Sequence, residues 1–500
     1  MRNKKLQSQT GQLPYRHENH ARPVTRRDFL AQGLISGVGL AVGPSLLGLL
    51  GGSPDVHAAA IDCGIAVTPQ GSGKVPFICF DLAGGANIAG SNVLVGKQGG
   101  QMDPLDAAGY NKLGIANSML PSLAGQVNTE LGLAFHASSS LLAGIKLKAT
   151  AATLANVEGC VICVRSNDDT QNNPLNPMYG IAKAGAKGQL VALLGTQNSV
   201  SGGNSIAPDN QIDATLRPTK VSSVNDTRGL VDTGKLAAQL GGSGAVRVME
   251  AIERLSGAKS GKLPEADMVK SLLNCAYSGT TDKVKQFGNP DVLNPALDAN
   301  ITALFPNVTA DGDFLKTAAI MKLVIEGYAG AGTVQLGGYD YHTGNRTAGD
   351  AKDLKAGQAI GAVLEYARIK NKPVMIYVFT DGAVSSNGSA DNNAGGKLVW
   401  TSDNGTCGAV FMLVYNPVSR PQLKKTGVRQ LGYYRANGSV ETGATPLSNN
   451  VTQVAEAVVL NYLALHNETG RFAQILPAQG LGPSTSWDNF IAFQPIVPAA

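Results

Sequence analysis

Acidic, amide and imidazole side chains gather beside glycines at three places in this chain, and such groups hold divalent ions or polar ligands. Asp81 leads into Ala83-Gly84-Gly85-Ala86-Asn87, and Gly337-Gly338-Tyr339 leads into Asp340-Tyr341-His342. Asp381-Gly382 opens a polar stretch that runs on to Asp403-Asn404-Gly405. Asp340, His342, Asp381 and Asp403 are the candidate metal ligands, because carboxylate and imidazole are the side chains that divalent ions take up. Asp81, Gly84, Gly85, Asn87 and Asn404 are the candidate contacts for a bound molecule. Each place also has a plainer reading: Asp before Gly is ordinary turn chemistry, and a lone histidine after a strand is more often a loop residue than a ligand. What joins the three is position, since each follows a segment that reads as a strand.

The elements that must place these groups are legible as apolar runs. Residues 75–82 read as a buried strand feeding the glycine turn, with further strands at 131–136, 160–164, 190–194, 333–336, 374–380 and 409–415. Apolar residues at three- and four-residue spacing predict helices at 141–156, 246–255, 266–277, 314–328, 352–369 and 451–465. Strand, helix and strand across 333–380 argue for a parallel sheet with a right-handed crossover. The expected fold is therefore α/β, a doubly wound, mainly parallel sheet with helices on both faces. Ligand groups in such sheets sit at the carboxyl ends of the strands. Residues 381–393 read as one long polar loop, and the Pro-rich C-terminal tail reads as extended.

The first sixty residues read as a twin-arginine signal peptide. A charged stretch leads to Arg26-Arg27-Asp28-Phe29-Leu30, then to a glycine-diluted apolar run over 34–50 and to Ala58-Ala59-Ala60. That run is shorter and more glycine-rich than the roughly 20 strongly apolar residues of a spanning helix. The expectation is export through the twin-arginine translocase to the periplasm or the cell surface, with no stable membrane span after cleavage. Residues 61–500 then form one large α/β domain with a helical insertion around 234–330.

Composition narrows the function further. The net charge of +5 is carried largely by basic residues of the leader, so nothing suggests nucleic acid as a partner. All six cysteines lie beyond the leader, which allows up to three disulfides in an oxidising compartment. Cys160-Val161-Ile162-Cys163 has redox or zinc-site spacing, but it lies in an apolar strand-like run without a second such pair. Gly71-Ser72-Gly73-Lys74-Val75 lacks the first glycine and the final Ser or Thr of a phosphate-binding loop. No GxSxG elbow is present.

Several of these motifs together resemble the domain of unknown function 1501 family, twin-arginine-exported bacterial proteins related to the alkaline phosphatase superfamily. The resemblance rests on the Gly-Gly-Ala-Asn turn, Asp103-Pro104-Leu105-Asp106-Ala107-Ala108-Gly109-Tyr110, Phe135-His136-Ala137, Gly338-Tyr339-Asp340-Tyr341-His342 and the Asp381/Asp403 stretch. It implies an alkaline-phosphatase-like sheet with metal ligands on loops at the strand ends, and Asp340 and His342 match the family's pattern. Three positions depart from it: Asn87 stands where an Asp or Ser is usual, Asp381-Gly382-Ala383 where a Glu followed by Phe-Gly-Arg is usual, and Asp403-Asn404 where an Asp-His pair is usual.

After the leader the chain holds three histidines, His136, His342 and His466, the last at the end of a helix expected on the surface, too few for the two-zinc site the superfamily implies. One divalent ion, Ca²⁺, Mg²⁺ or Zn²⁺, suits these residues better. The favoured reading is a non-catalytic exported binding protein descended from such enzymes. A second is a metal-dependent hydrolase of phosphate or sulfate esters, with Ser91 or a metal-bound water as nucleophile. A third, suggested by Phe80-Asp81-Leu82-Ala83-Gly84-Gly85 and Val378-Phe379-Thr380-Asp381-Gly382, is an adhesion module resembling von Willebrand A domains.

Overall fold

The structure, a computed structural model, describes residues 73–166, 173–231 and 289–497, with a few positions between 247 and 254. The chain divides into two compact units. One comprises residues 68–232 and 290–500; the other, 1–67 with 233–289, holds almost none of the described residues. The leader with Arg26 and Arg27, Cys63, Cys275 and the helix expected at 266–277 lie outside the described residues, as does most of 246–255. Residues 290–330, expected within a helical insertion, belong to the first unit.

In chain order the strands of the first unit are β1 (Phe77–Gly84), β2 (Val127–Leu131), β3 (Leu133–His136), β4 (Val157–Cys163), β5 (Val191–Gly195), β6 (Thr219–Lys220) and β7 (Ala329–Tyr339). They continue with β8 (Val374–Thr380), β9 (Val384–Ser385), β10 (Ala390–Asp391), β11 (Lys397–Leu398), β12 (Ser402–Asp403), β13 (Ala409–Tyr415) and β14 (Gln430–Leu431). Eight of them form one sheet in the order β14-β4-β13-β8-β1-β7-β5-β6. Every neighbouring pair is parallel except the two made by β13, which runs antiparallel to β4 and to β8. The expected mainly parallel α/β sheet is therefore present, with one reversed strand that apolar patterning cannot reveal.

The central strands read Phe-Ile-Cys-Phe-Asp-Leu and Val-Met-Ile-Tyr-Val-Phe-Thr and are buried along their length. Near-continuous apolar runs of this kind mark strands covered on both faces. The longer helices α1 (Ser140–Lys148), α3 (Gly312–Ile325), α4 (Arg346–Ile369) and α5 (Val451–Leu465), and the short α2 (Met178–Lys183), supply that cover. On one face Phe77, Cys79, Tyr377 and Phe379 join a core with Met178 of α2 and Val454, Val458 and Tyr462 of α5. On the other, Ile320 and Val324 of α3 lie over Gly332 of β7, and α4 packs between α1 and the sheet. Among the described residues no helix is long and apolar enough to cross a membrane.

The 24-residue α4 begins where the Asn345 side chain accepts the Ala348 amide at 2.9 Å, and the chain leaves it through Asn371 at a φ of 51°. It carries β7 across to β8, and β1 lies between the two, paired in parallel with both. β7 is longer than expected, because Ala329-Gly330-Ala331-Gly332 hides strand character behind small residues. The helix expected at 141–156 breaks after Lys148, and a second helix starts where Thr150 caps it.

Three expectations are corrected. Helix α5 is buried along almost its whole length rather than lying on the surface. His466 at its end is buried, with Nε2 accepting the Val75 amide at 2.9 Å. The C-terminal tail is packed, with a 3-10 turn at Ser484–Asn489 and Trp487, Phe490 and Phe493 in the α5 core.

Disulfides are the third. Cys79, Cys160, Cys163 and Cys407 are free and buried. Cys160 and Cys163 sit three apart on a strand, which turns their side chains to opposite faces, and burial raises both thiols far above the ordinary cysteine range. Neither is a redox pair. Thiol labelling of the native protein, mapped by mass spectrometry, should leave these four cysteines unmodified until denaturant is added; modification of Cys160 or Cys163 in the native state would contradict their burial.

Candidate metal centre

The glycine turn after β1 decides where the site groups stand. β1 and β7 pair in register from Phe77↔Ala331 to Leu82↔Leu336, and the next partners are Gly84 and Tyr339. One residue, Ala83, thus lies opposite two, Gly337 and Gly338, which is a β-bulge. Gly338 takes a φ of 82° there. The bulge swings the end of β7 so that Asp340 emerges beside Gly84. Gly85 donates to the Tyr339 carbonyl at 3.2 Å and Gly382 to the Gly84 carbonyl at 3.0 Å, which ties the ends of β1, β7 and β8 together. The turn is pinned from below: Thr380 Oγ1 accepts the Ala86 amide at 2.8 Å, and the Tyr341 hydroxyl accepts the Asn87 amide at 2.7 Å.

Asp403 arrives by a different route. The stretch after β8 is not one irregular loop, because β9 pairs with β12 and β10 with β11, both antiparallel. This ribbon matches Asp403 to Val384 and carries the Asp403 carboxylate over Gly85, where a Cβ would come within 3.5 Å of Oδ1. The Asn404 amide donates to Ala383 O at 2.7 Å and anchors the ribbon's exit.

Asp340, His342 and Asp403 converge there. His342 Nε2 stands 2.6 Å from Asp340 Oδ1 and 3.4 Å from Asp403 Oδ2, and one ligand atom from each lies within 4.8 Å of the others. All three are at least partly exposed and line a cavity of about 420 Å³ with Ala83, Gly84, Gly85, Asn204, Gln335, Gly337 and Gly338. Two carboxylates and an imidazole facing one another are a ligand set for a divalent ion, with room for further ligands from the open side.

Other sequence candidates stand elsewhere. Asp381 is fully buried and does not join the group. Its Oδ1 accepts the Asn173 amide at 3.3 Å, and its carbonyl accepts the Ser166 hydroxyl at 2.8 Å, so it closes the sheet rather than offering a ligand. Asp81 is also fully buried and accepts the amides of Asn204 and Ser205 at 2.6 and 2.8 Å. Asp81 and Asp381, the aspartates of the two segments that resemble von Willebrand A strand ends, are thus both buried and outside the group. Ser91 is buried, donates to the Asn87 side chain and does not line the cavity. Asn87 is likewise buried, its Nδ2 donating to Ala89 O at 2.9 Å. The Asn404 side chain accepts the Thr406 amide at 3.2 Å and donates to Ser385 Oγ at 3.3 Å. Gly84 and Gly85 do line the cavity.

Two cavity residues escape the sequence reading. Gln335 is a polar residue inside an apolar strand, which is a usable signal. Asn204 lies in a Ser-, Gly- and Asn-rich loop after β5, where nothing marks one residue above its neighbours. Asp81 positions that loop through the two amides it accepts. Burial pushes its carboxyl up to about 6, against the bonds from Ser205 and Asn204, which hold it down. A second buried acid, Asp353 on α4, accepts Asn92 Nδ2 at 2.7 Å, and burial raises it to about 7. The same Nδ2 also donates to the Asn87 carbonyl at 2.7 Å, so this acid sits directly behind the glycine turn.

Compared with known proteins, the chain matches no family model, no curated protein and no solved structure.

Proposed function

We propose that this is an exported binding protein whose working site holds one divalent ion between Asp340, His342 and Asp403. The observation that carries the reading is the convergence of these three side chains, from two separate stretches of chain, on one open cavity at the carboxyl edge of the sheet. The mixed donor set favours a first-row ion such as Mn²⁺ or Zn²⁺ over Ca²⁺ or Mg²⁺. Descent from phosphatase-like enzymes is in keeping with a site at the strand ends. Among the described residues the cavity lining contains no Ser or Thr, which leaves hydrolysis only a metal-bound water as nucleophile. Export rests on the twin-arginine leader.

Isothermal titration of the purified protein with Mn²⁺ and Zn²⁺ should give one site per chain. Asp340→Ala and His342→Ala should each weaken it at least tenfold, while Asp381→Asn should leave it unchanged. A stoichiometry of zero, or equal affinity in the His342 variant, removes the ion from the reading. Turnover of phosphate or sulfate esters that disappears in Asp340→Ala would replace binding with catalysis.

A further inference from the structure

We propose that the ligand taken up by this site is a neutral polyhydroxylated compound, a sugar or cyclitol whose adjacent hydroxyls complete the coordination of the ion. The inference rests on the ion-binding reading above and adds the ligand's chemical class. It starts from charge. The Asp340 and Asp403 carboxylates together neutralise a divalent ion, and among the described residues the cavity lining holds no lysine or arginine. Lys352 stands at the glycine bulge, where its Nζ donates to the Gly337 carbonyl at 3.3 Å. The loaded cavity therefore offers a phosphate or sulfate group little net attraction, because oxyanion sites are built on Arg or Lys forks or clustered backbone amides.

Shape and polarity argue next. Small-molecule sites run to about 300–1,000 Å³ and are mostly walled by apolar and aromatic side chains. This cavity reaches about 420 Å³, but among the described residues Ala83 is its only apolar side chain, and glycines form much of its wall. An aliphatic or aromatic ligand finds nothing to cover it.

What the cavity does present is a mixture of donors and acceptors. The Asn204 side chain makes no hydrogen bond among the described residues, although its backbone amide is fixed on Asp81 at 2.6 Å. Gln335 accepts from Gln197 Nε2 at 2.8 Å through Oε1, which orients the amide and leaves Nε2 beside Gly337. The oriented carboxamide of Gln335 and the unengaged one of Asn204, beside two carboxylates, can satisfy hydroxyls that both donate and accept, and a hydroxyl is a neutral oxygen ligand for a divalent ion. A polyol with two neighbouring hydroxyls uses every one of these features.

The test is titration of the full chain, saturated with Mn²⁺, against methyl α-mannoside, methyl β-galactoside, myo-inositol and inorganic phosphate, each repeated in the presence of a chelator. At least one neutral polyol is expected to bind, to lose binding when the ion is removed, and to bind about tenfold more weakly in Asn204→Ala and Gln335→Ala. The ion's own affinity is measured alongside in each variant, to separate lost ligand contacts from a lost ion. If the ion binds and phosphate is taken up while no polyol is, or if no probe binds at all, the ligand class is wrong and the ion site stands. If the ion itself does not bind, both readings fall together.

Discussion

Replacing Gly84 with alanine is expected to remove ion binding and to destabilise the fold by several kcal/mol. Gly84 has a φ of 124°, a conformation that side-chain-bearing residues rarely adopt. A Cβ built there would lie 2.6 Å from the amide nitrogen of Asp340 and 2.8 Å from the carbonyl carbon of Tyr339. Both neighbours are backbone, so no side chain can rotate away, and relief requires moving the end of β7 that holds Asp340. Strained backbone with overpacking costs on the order of 2–5 kcal/mol. Gly100→Ala provides the comparison, because Gly100 has a φ of 90° with nothing within 4 Å of the added carbon. It should show the conformational cost alone, about 1–2 kcal/mol, and keep the ion. Denaturant unfolding and ion titration of both variants decide the matter: if Gly84→Ala behaves like Gly100→Ala in both, the close approach of β1 and β7 does not govern the site.

The second large effect lies in pH. Asp353 is fully buried, and its carboxyl is raised from the usual range near 4 to about 7, with burial as the first cause. Asp350 pushes in the same direction, while the Asn92 bond and the charges of Arg346 and Lys397 oppose it. A raised acid binds its proton more tightly folded than unfolded. Its contribution to stability is therefore complete below pH 4 and is lost as pH rises through about 7. Asp81 acts in the same sense, between about 4 and 6. The folded protein should thus lose on the order of 2–4 kcal/mol from Asp353 between pH 4 and pH 8. Asp353→Asn, which retains an oxygen to accept from Asn92, should flatten that part of the curve. Thermal unfolding of parent and variant across this range, without added metal, tests it; parallel pH curves would show that Asp353 does not titrate as its burial requires.

How far the sequence led depends on the kind of signal. Strand β8 is legible residue for residue because it is covered on both faces and so is apolar throughout. The direction of β13 is not, since a strand buried on both sides looks the same in either sense. Asp340 and His342 are legible as a pair because a glycine bulge precedes them. Asp403 is legible as a candidate ligand, but the β9 and β12 pairing that brings it to the other two is not, because two-residue strands leave no pattern. Asp381 misled for a physical reason: an aspartate before glycine at a strand end looks alike whether it faces the open edge or, as here, is folded under it against Asn173. Tyr341 and Thr380 lacked any signal, since their part is to hold two backbone amides of the turn.

The central position of β1 has a consequence for how the chain is made. Its partners are distant, Phe77 pairing with Ala331 and with Met375. The first strand among the described residues must wait for its two sheet neighbours until the last third of the molecule exists. Non-local pairing of this kind makes folding slow and places the closing step late. A ribosome-bound fragment ending before residue 374 lacks one edge of the slot that β1 fills, so the sheet cannot close cotranslationally from its N-terminal side. A route that carries only finished molecules is suited to such a topology, whereas one that threads the chain outward as it is made would present β1 to the far side long before its neighbours arrive.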